Sequence, residues 1–266
     1  MVVEKAETLS DYIEQRLQGM RYSFSKDEAL DETGLTDNAF KMAASRLKNK
    51  NRLISPRRGF YVIIPPQYQR RGTPPASYFI DPMMNYLEED YYVGILSAAD
   101  LYGASHHAPQ QFQVVVSRQI QEIQRERLHI VFVKNKHLDK TPVTERNTET
   151  GTMKVSTPEA TALDLIYYDD RAGHLDNVAT VLDDLAETLD PKELLKVAKN
   201  YHSRASVQRL GYILEFLGYE EQVSKLADWL KEQEPSRVPL STYDERGGAE
   251  RDRRWEVIVN RELHPD

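Results

Sequence analysis

The sequence predicts an α+β protein in which a small amino-terminal module precedes a larger domain. Three observations support this fold class. Residues 1–66 combine helical apolar stripes with a short hairpin pattern. A linker is expected at 67–79, because residues 65–75 hold four prolines and few apolar residues. Residues 80–266 then mix helical and strand patterns without strict βαβ alternation. We therefore expect an N-terminal winged helix-turn-helix, the linker, and a larger mixed α/β C-terminal domain.

The composition is that of an ordinary globular protein. The chain has 266 residues, of which 40% are hydrophobic and 29% charged, and no stretch approaches the ~20 apolar residues of a membrane helix. It contains no cysteine, which excludes disulfides, thiol nucleophiles and thiolate zinc sites. The first residues lack the pattern of a signal peptide, so we expect a cytoplasmic protein with no membrane contact.

Positive charge is concentrated in one segment of an acidic chain. The formal net charge is −7, yet the stretch from Thr36 to Pro75 holds nine lysines and arginines against the single acid Asp37, a local charge of +8. The remaining residues therefore carry −15. A basic segment on an otherwise acidic protein is typical of one element that faces a polyanion such as DNA.

Three helices are predicted ahead of the hairpin. Apolar residues at helical spacing indicate the first over residues 4–18. The second begins at a capping box of Ser25 and Glu28 and closes near Gly34. The third is expected over residues 37–49, and its buried stripe is Phe40, Ala43, Ala44 and Leu47. Two helices joined by a tight glycine turn are a helix-turn-helix candidate.

The outer face of the third helix is suited to reading DNA. At 100° intervals its polar side chains lie opposite the buried stripe, and cations lie on both flanks. A recognition helix turns such a face to the base edges, while the flanking cations meet the phosphates. Asn38 is the candidate for a base contact, since its amide can pair with adenine. The predicted DNA-binding residues of the helix and the following hairpin are Asn38, Lys41, Met42, Ser45, Arg46, Lys48, Asn49, Arg52, Arg57 and Arg58.

A hairpin with two arginines at its turn follows this helix. Predicted strands at 53–55 and 59–64 flank the turn, and a proline pair ends the second strand. Such a wing can enter a minor groove or clamp a phosphate. Arg70 and Arg71 in the linker are open to two interpretations, phosphate contacts or plain solvation. The alternative for the whole segment is a small helical domain with a solvated basic face and no ligand.

The C-terminal domain is predicted to be one continuous α+β unit. Its expected elements are two helices within 81–104, strands at 112–117 and 128–133, a hairpin through 149–152, helices at 174–187, 191–201, 204–217 and 219–232, and a final strand at 255–260. We expect this final strand to return to the domain's own sheet.

A buried helix is predicted to begin at Thr157. Threonine as the N-cap, proline next to it and Glu159 in the first turn form a strong helix start. The helix is apolar on nearly every side, so it should lie at the centre of the core. Asp164 on this helix requires a partner, and we favour a structural hydrogen bond over membership of a site.

The sequence shows no catalytic or metal motif in this domain. The adjacent His106 and His107 cannot share a helix face as ligands spaced i, i+4 do, so a single polar contact in a loop is expected there. The acidic pairs at 169–170 and 183–184 are expected on the solvated surface, since no nucleophile elbow or phosphate loop accompanies them. We therefore predict a protein that is not an enzyme and uses no metal or cofactor.

The second half of the chain resembles the AbiEi-type antitoxins of type IV toxin–antitoxin systems. The resemblance covers about residues 80–262 and is carried, in this order, by YYVGILSAADLYGASHHAPQQFQVVVS, KVSTPEATALDLIYY, VQRLGYILEFLG and RRWEVIVN. It implies a bacterial antitoxin that represses its own operon, with a winged helix that binds inverted repeats in double-stranded DNA. It also implies that the C-terminal domain counteracts a cognate nucleotidyltransferase toxin. Whether protomers pair in solution or only on DNA is left open.

The resemblance supplies candidate positions in the antitoxin domain without fixing their roles. Tyr102 stands where the resemblance leads us to expect a histidine, which argues against a function that needs that imidazole. The candidates are His107, Thr157, Glu159, Asp164 and Arg209. Two alternatives remain: a regulator whose C-terminal domain senses a ligand and has no toxin partner, and an enzyme that acts on nucleic acid.

Overall fold

The chain forms two compact units in a computed structural model that describes residues 6–104, 109–125, 127–245 and 247–265. The α+β class expected from the sequence is confirmed. None of the described helices is long and apolar enough to cross a membrane. The first unit comprises Met1–Tyr91, Val116–Lys134 and Glu145–Lys154, and the second unit comprises Tyr92–Val115, Asn135–Thr144 and Val155–Asp266.

Helices and strands alternate irregularly along the described chain. The helices are α1 (Leu9–Gln18), α2 (Lys26–Thr33), α3 (Asp37–Asn49), α4 (Ile80–Tyr86), α5 (Ile95–Leu101), α6 (Pro158–Tyr167), α7 (His174–Ala186), α8 (Pro191–Asn200), α9 (Arg204–Phe216) and α10 (Glu220–Glu232). The strands are β1 (Ser23–Ser25), β2 (Leu53–Arg57), β3 (Phe60–Ile63), β4 (Tyr91–Val93), β5 (Phe112–Val116), β6 (Ile123–Arg125), β7 (Leu128–Lys134), β8 (Val143–Thr148), β9 (Gly151–Ser156), β10 (Val238–Pro239), β11 (Glu250–Asp252) and β12 (Val257–Val259).

The described strands form three sheets. Their orders are β1-β3-β2, β6-β7-β5-β4-β9-β8 and β10-β12-β11. The prediction that the final strand returns to the main sheet was wrong, because β12 pairs parallel with β10 and antiparallel with β11. Both partners of β12 lie in the carboxy-terminal stretch, so they satisfy its backbone groups without the main sheet.

Side-chain caps set the helix bounds in the first unit. The helix expected from residue 4 begins instead at Leu9, because Thr8 and Asp11 form a reciprocal capping box there. The predicted capping box of Ser25 and Glu28 opens α2, and Gly34 closes it in a left-handed conformation with φ 69°. The α3 helix spans the predicted residues.

The core of the first unit joins its helices to its small sheet. Ile13 of α1, Phe24 of β1 and Phe40 of α3 are buried in one cluster, and the Tyr12 ring meets the Phe24 ring edge-on at 5.2 Å. Each such side chain contributes roughly 1.5–3 kcal/mol by leaving water. The sequence did not indicate β1, because three residues are too few to show the alternation of a strand.

The second unit is built around α6, whose residues from Glu159 to Ile166 are all buried. The Asp164 carboxylate within it accepts hydrogen bonds from the hydroxyls of Tyr92 and Tyr201, each at 2.9 Å. The predicted need for a partner is therefore confirmed. Burial raises the pKa of Asp164 to about 7, although both tyrosine hydrogen bonds act to lower it.

A close approach between Gly211 of α9 and Trp255 attaches the carboxy-terminal segment to the second unit. A Cβ atom at Gly211 would lie 2.0 Å from the indole ring, so only glycine fits there without a shift. Trp255 is fully buried, and its Nε1 donates to Glu215 at 2.7 Å. The side chain of Gln208 donates to the Trp255 carbonyl at 3.0 Å. The segment before β12 is thus fixed by packing and hydrogen bonds together.

The substitution Gly211→Ala is expected to destabilise the second unit by at least about 2 kcal/mol, since overpacking a close contact typically costs about 1–3 kcal/mol. Urea unfolding followed by tryptophan fluorescence measures this, because both tryptophans, Trp229 and Trp255, belong to the second unit. Gly247→Ala is the control, since no atom lies within 4 Å of a Cβ there. Equal stability of the two variants would contradict the proposed packing.

The buried carboxylate of Asp164 predicts a pH dependence of stability. Its folded pKa of about 7 lies above the ordinary value of about 3.9, so between these values the folded state holds a proton that the unfolded state has lost. Stability from this group is therefore lost as the pH rises toward 7. Between pH 5.5 and 8 we expect the wild-type unfolding free energy to fall by about 2 kcal/mol more than that of Asp164→Asn. Parallel pH profiles would contradict this assignment.

Candidate nucleic-acid interface

One face of α3 presents polar and basic side chains to solvent. The helix begins at the Thr36 N-cap, whose hydroxyl accepts from the Ala39 amide at 3.3 Å, and it buries Phe40, Ala44 and Leu47 against the first unit's core. The apolar stripe therefore determines which side chains point outward. The predicted DNA-binding residues of this helix are all exposed, namely Asn38, Lys41, Met42, Ser45, Arg46, Lys48 and Asn49.

Ion pairing reduces the charge at the amino-terminal end of α3. Asp37 forms salt bridges with Lys26 and, at 2.5 Å, with Lys41. Hydrogen bonding by Lys26, followed by that of Lys41, holds the pKa of Asp37 below its usual range. Part of the positive charge of Lys41 is therefore neutralised by Asp37 of its own helix. The Arg46 side chain, in contrast, has no hydrogen-bond or salt-bridge partner among the described residues.

Lys48 lies where α3 meets other basic elements of the first unit. Its Nζ is 5.0 Å from the centre of the Tyr61 ring, within the range of a cation–π contact. Partial burial and the nearby positive charge of Arg125 lower the pKa of Lys48. Arg125, at the end of β6, and Arg127 are exposed. Sequence reasoning missed these two arginines because Glu122 in the same stretch masks the local positive charge.

The two hairpin arginines occupy different environments. Strand β2 extends through Arg57, two residues beyond its predicted end, so the turn consists of Arg58 and Gly59. The Arg57 guanidinium donates to the Gln121 carbonyl and lies 5.3 Å from the Phe132 ring. Arg58, in contrast, is exposed. The sequence could not separate the two, because the partners of Arg57 lie more than 60 residues away.

The hairpin turn contacts Tyr86 of α4. The Tyr86 hydroxyl donates to the Arg58 carbonyl at 3.1 Å, and its ring lies 5.5 Å from that of Phe60. Gly59 has φ 82°, and a Cβ there would lie 2.3 Å from the Tyr86 hydroxyl oxygen. Both the backbone conformation and the close approach therefore require glycine at this turn.

The other arginines of the basic segment lie in different environments. Arg52 is paired with Glu14 of α1. Arg70 and Arg71 are exposed, in a segment that also carries two 3-10 turns and the buried side chain of Phe79. Tyr68 and Tyr78 join these turns through their hydroxyls at 3.1 Å. The segment expected to be a linker is thus packed within the first unit.

The antitoxin-domain candidates that the structure describes hold the second unit together. Thr157 caps α6 by accepting from the Ala160 amide at 3.3 Å. Buried Glu159 accepts from the Asp190 amide at 3.2 Å, and Arg209 donates from Nε to the Pro239 carbonyl at 2.8 Å. With Asp164 on its two tyrosines, each of these side chains therefore has a structural contact.

Tyr102 and the remaining candidate, His107, differ in what the structure describes. Tyr102 donates its hydroxyl to the Ser156 carbonyl at 2.7 Å, so it joins α5 to the end of β9. His107, like His106, lies outside the described residues. In the part of the chain that is described, no three histidine or acidic side chains are grouped so as to hold a metal ion.

Comparison with solved structures identifies a similar fold. The fold is similar to that of the RV2827C protein from Mycobacterium tuberculosis, with a TM-score of 0.67 and 15% identity over 94% of this chain and 90% of that chain. At this identity the likeness establishes the fold alone. No curated protein sequence matches the chain significantly.

Part of the chain matches a protein family. Residues 92–216 match the AbiEi antitoxin C-terminal domain, which confirms the resemblance to AbiEi-type antitoxins. Most of the matched residues lie in the second unit, around α6. Over the matched residues, which are 125 of the 266 in the chain, the protein is similar to the AbiEi antitoxins of toxin–antitoxin systems.

Proposed function

We propose that this protein is the antitoxin of a bacterial type IV toxin–antitoxin system and that it acts in the cytoplasm. It represses its own operon through the first unit and counteracts a cognate nucleotidyltransferase toxin through its C-terminal domain. The observation that carries this proposal is the match of residues 92–216 to the AbiEi antitoxin C-terminal domain. The exposed basic face of the first unit supports the DNA-binding half.

The first unit supplies a winged helix-turn-helix in this proposal. Helices α2 and α3 are joined through Gly34, and the β2–β3 hairpin follows directly. The major groove admits an α-helix, so the exposed face of α3 reads base edges there, with Asn38 on an adenine. Lys41, Arg46 and Lys48 then meet the flanking phosphates.

The environments of the two hairpin arginines give them separate roles. Exposed Arg58 contacts a phosphate or the adjacent minor groove. Arg57, engaged by Gln121 and Phe132, positions the hairpin rather than contacting DNA directly. Arg125 extends the basic face beside Lys48, and the acidic remainder of the chain opposes contacts elsewhere.

The substitution Arg58→Ala should weaken binding to operator and random DNA alike and lower the salt slope by about one, as expected for a lost phosphate contact. Arg57→Ala should change the slope less. Fluorescence anisotropy with DNA from upstream of the gene, measured at several salt concentrations, tests both. Arg253→Ala, an exposed arginine of the second unit, serves as the matched control. A slope unchanged by Arg58→Ala would remove the hairpin from the interface.

The substitution Asn38→Ala should affect sequence discrimination instead. Losing a bidentate adenine contact costs about 1–3 kcal/mol on the operator and little on random DNA. Competition between the two DNAs in the same anisotropy assay measures the ratio of affinities. Equal losses on both DNAs would show that Asn38 contacts the backbone and not a base.

Toxin neutralisation should survive the loss of DNA binding. We expect the full chain carrying Asn38→Ala, Arg46→Ala and Arg58→Ala, expressed from an unrelated promoter, to restore growth of cells that express the cognate nucleotidyltransferase, which the proposal expects to be encoded by the adjacent gene. All three substituted side chains are exposed, so folding should be retained. The full chain is used because residues 116–134 and 145–154 belong to the first unit. Failure of the wild-type chain to restore growth would refute the antitoxin assignment.

A further inference from the structure

A half-open cavity of about 490 Å³ lies in the first unit, and Phe60 of the hairpin lines it. Its wall combines the end of α1, strand β1, helix α4 and Phe60 of the hairpin. Its volume lies within the range of about 300–1,000 Å³ that is common for small-molecule sites, and its wall mixes aromatic rings with a few polar groups, as such sites do. The DNA-binding face of α3 contributes no residue to it.

Arg16 is a largely buried polar residue of this wall. Its side chain is 13% exposed, and it donates from Nη1 to the Tyr12 hydroxyl at 3.0 Å and from Nη2 to the Ser23 carbonyl. Its buried Nε, in contrast, has no hydrogen-bond partner among the described residues. A buried donor without a partner is unfavourable, so a small shift of the Arg16 side chain toward an acceptor in the cavity would relieve it.

The charge of the wall favours an anion. Among the lining side chains, Arg16 and the exposed Arg21 contribute two positive charges against the carboxylate of Glu28. That carboxylate already accepts from the Ser25 amide at 2.6 Å and is 4.0 Å from Nη1 of Arg16. Glu149, outside the lining, hydrogen-bonds to Tyr78. Guanidinium groups bind carboxylates and phosphates through strong, charge-assisted hydrogen bonds.

The rest of the wall favours an aromatic body on that anion. The rings of Phe60, Tyr78 and Tyr86 line the cavity, and aromatic rings pack well against one another in offset or edge-on arrangements. Ser23 and Thr150 add polar atoms to the wall. We propose that the cavity binds a small aromatic anion, with its carboxylate or phosphate on Arg16 and Arg21 and its ring among these three aromatic side chains.

An occupant would contact the groups that hold the hairpin turn. Tyr86 bonds the Arg58 carbonyl, and Phe60 follows the turn directly, so a ligand that moves either ring alters the position of Arg58. This consequence rests on the proposed role of the hairpin in DNA binding. The binding site itself does not depend on that role.

Isothermal titration calorimetry of the full chain tests the site, with benzoate and phenyl phosphate as probes and neutral benzyl alcohol as the control. We expect at least one anion to bind with a dissociation constant at or below about 1 mM, and benzyl alcohol to bind at least tenfold more weakly. Arg21→Gln should weaken the anion about tenfold, whereas Arg253→Gln in the second unit should leave it unchanged. No binding of either anion would overturn the proposal, as would equal binding of benzyl alcohol.

Arg16→Gln provides the sharpest variant when its circular dichroism matches that of the wild type, and it should abolish anion binding. Should it fail to fold, Arg21→Gln still decides the question, because Arg21 is exposed. Operator affinity measured with saturating benzoate, against chloride at the same ionic strength, tests the effect on the hairpin. An operator affinity that benzoate does not change would overturn the effect of the ligand on the hairpin but not the binding site. If the protein without ligand binds no DNA at all, only the proposed function is refuted.

Discussion

Ser25 performs two structural tasks at once, and the arrangement of the first unit depends on both. It is the last residue of β1, paired with Phe60 of the hairpin, and it is also the N-cap of α2. The next residue, Lys26, donates its amide to the Gly59 carbonyl at 2.8 Å and its side chain to Asp37 of α3. The start of the helix pair and the hairpin turn are therefore fixed by neighbouring residues. A small change at this point would move two parts of the proposed DNA-binding surface together.

The helices could largely be predicted from the sequence, because their signals are local. The capping box at Ser25, the left-handed Gly34 and the apolar stripe of α3 each act within a few residues, and all were found in the structure. The start of α1 was misplaced because the apolar stripe continues through Ala6, which is buried although it precedes the helix. Burial and helix formation are separate properties, and the stripe reports only burial.

Features that depend on distant partners could not be predicted in this way. The difference between Arg57 and Arg58 comes from Gln121 and Phe132, and the short strands β1 and β4 are defined only by the strands beside them. In the antitoxin domain, the pattern around Thr157 gave the helix and the need to satisfy Asp164, yet no residue pattern gave a function. That came from the family resemblance alone.

The support of the hairpin by Tyr86 has a thermodynamic consequence for the proposed binding of DNA. A flexible wing would have to lose conformational freedom when it met the duplex, at a cost of about 1–2 kcal/mol for each residue ordered. Here the turn is already restrained by the hydrogen bond from the Tyr86 hydroxyl to the Arg58 carbonyl and by the close fit at Gly59. The turn has therefore lost most of this conformational entropy on folding, before any binding. In the proposed interface, more of the free energy of the contacts made by the hairpin can then appear as affinity, which is the general advantage of a preorganised surface.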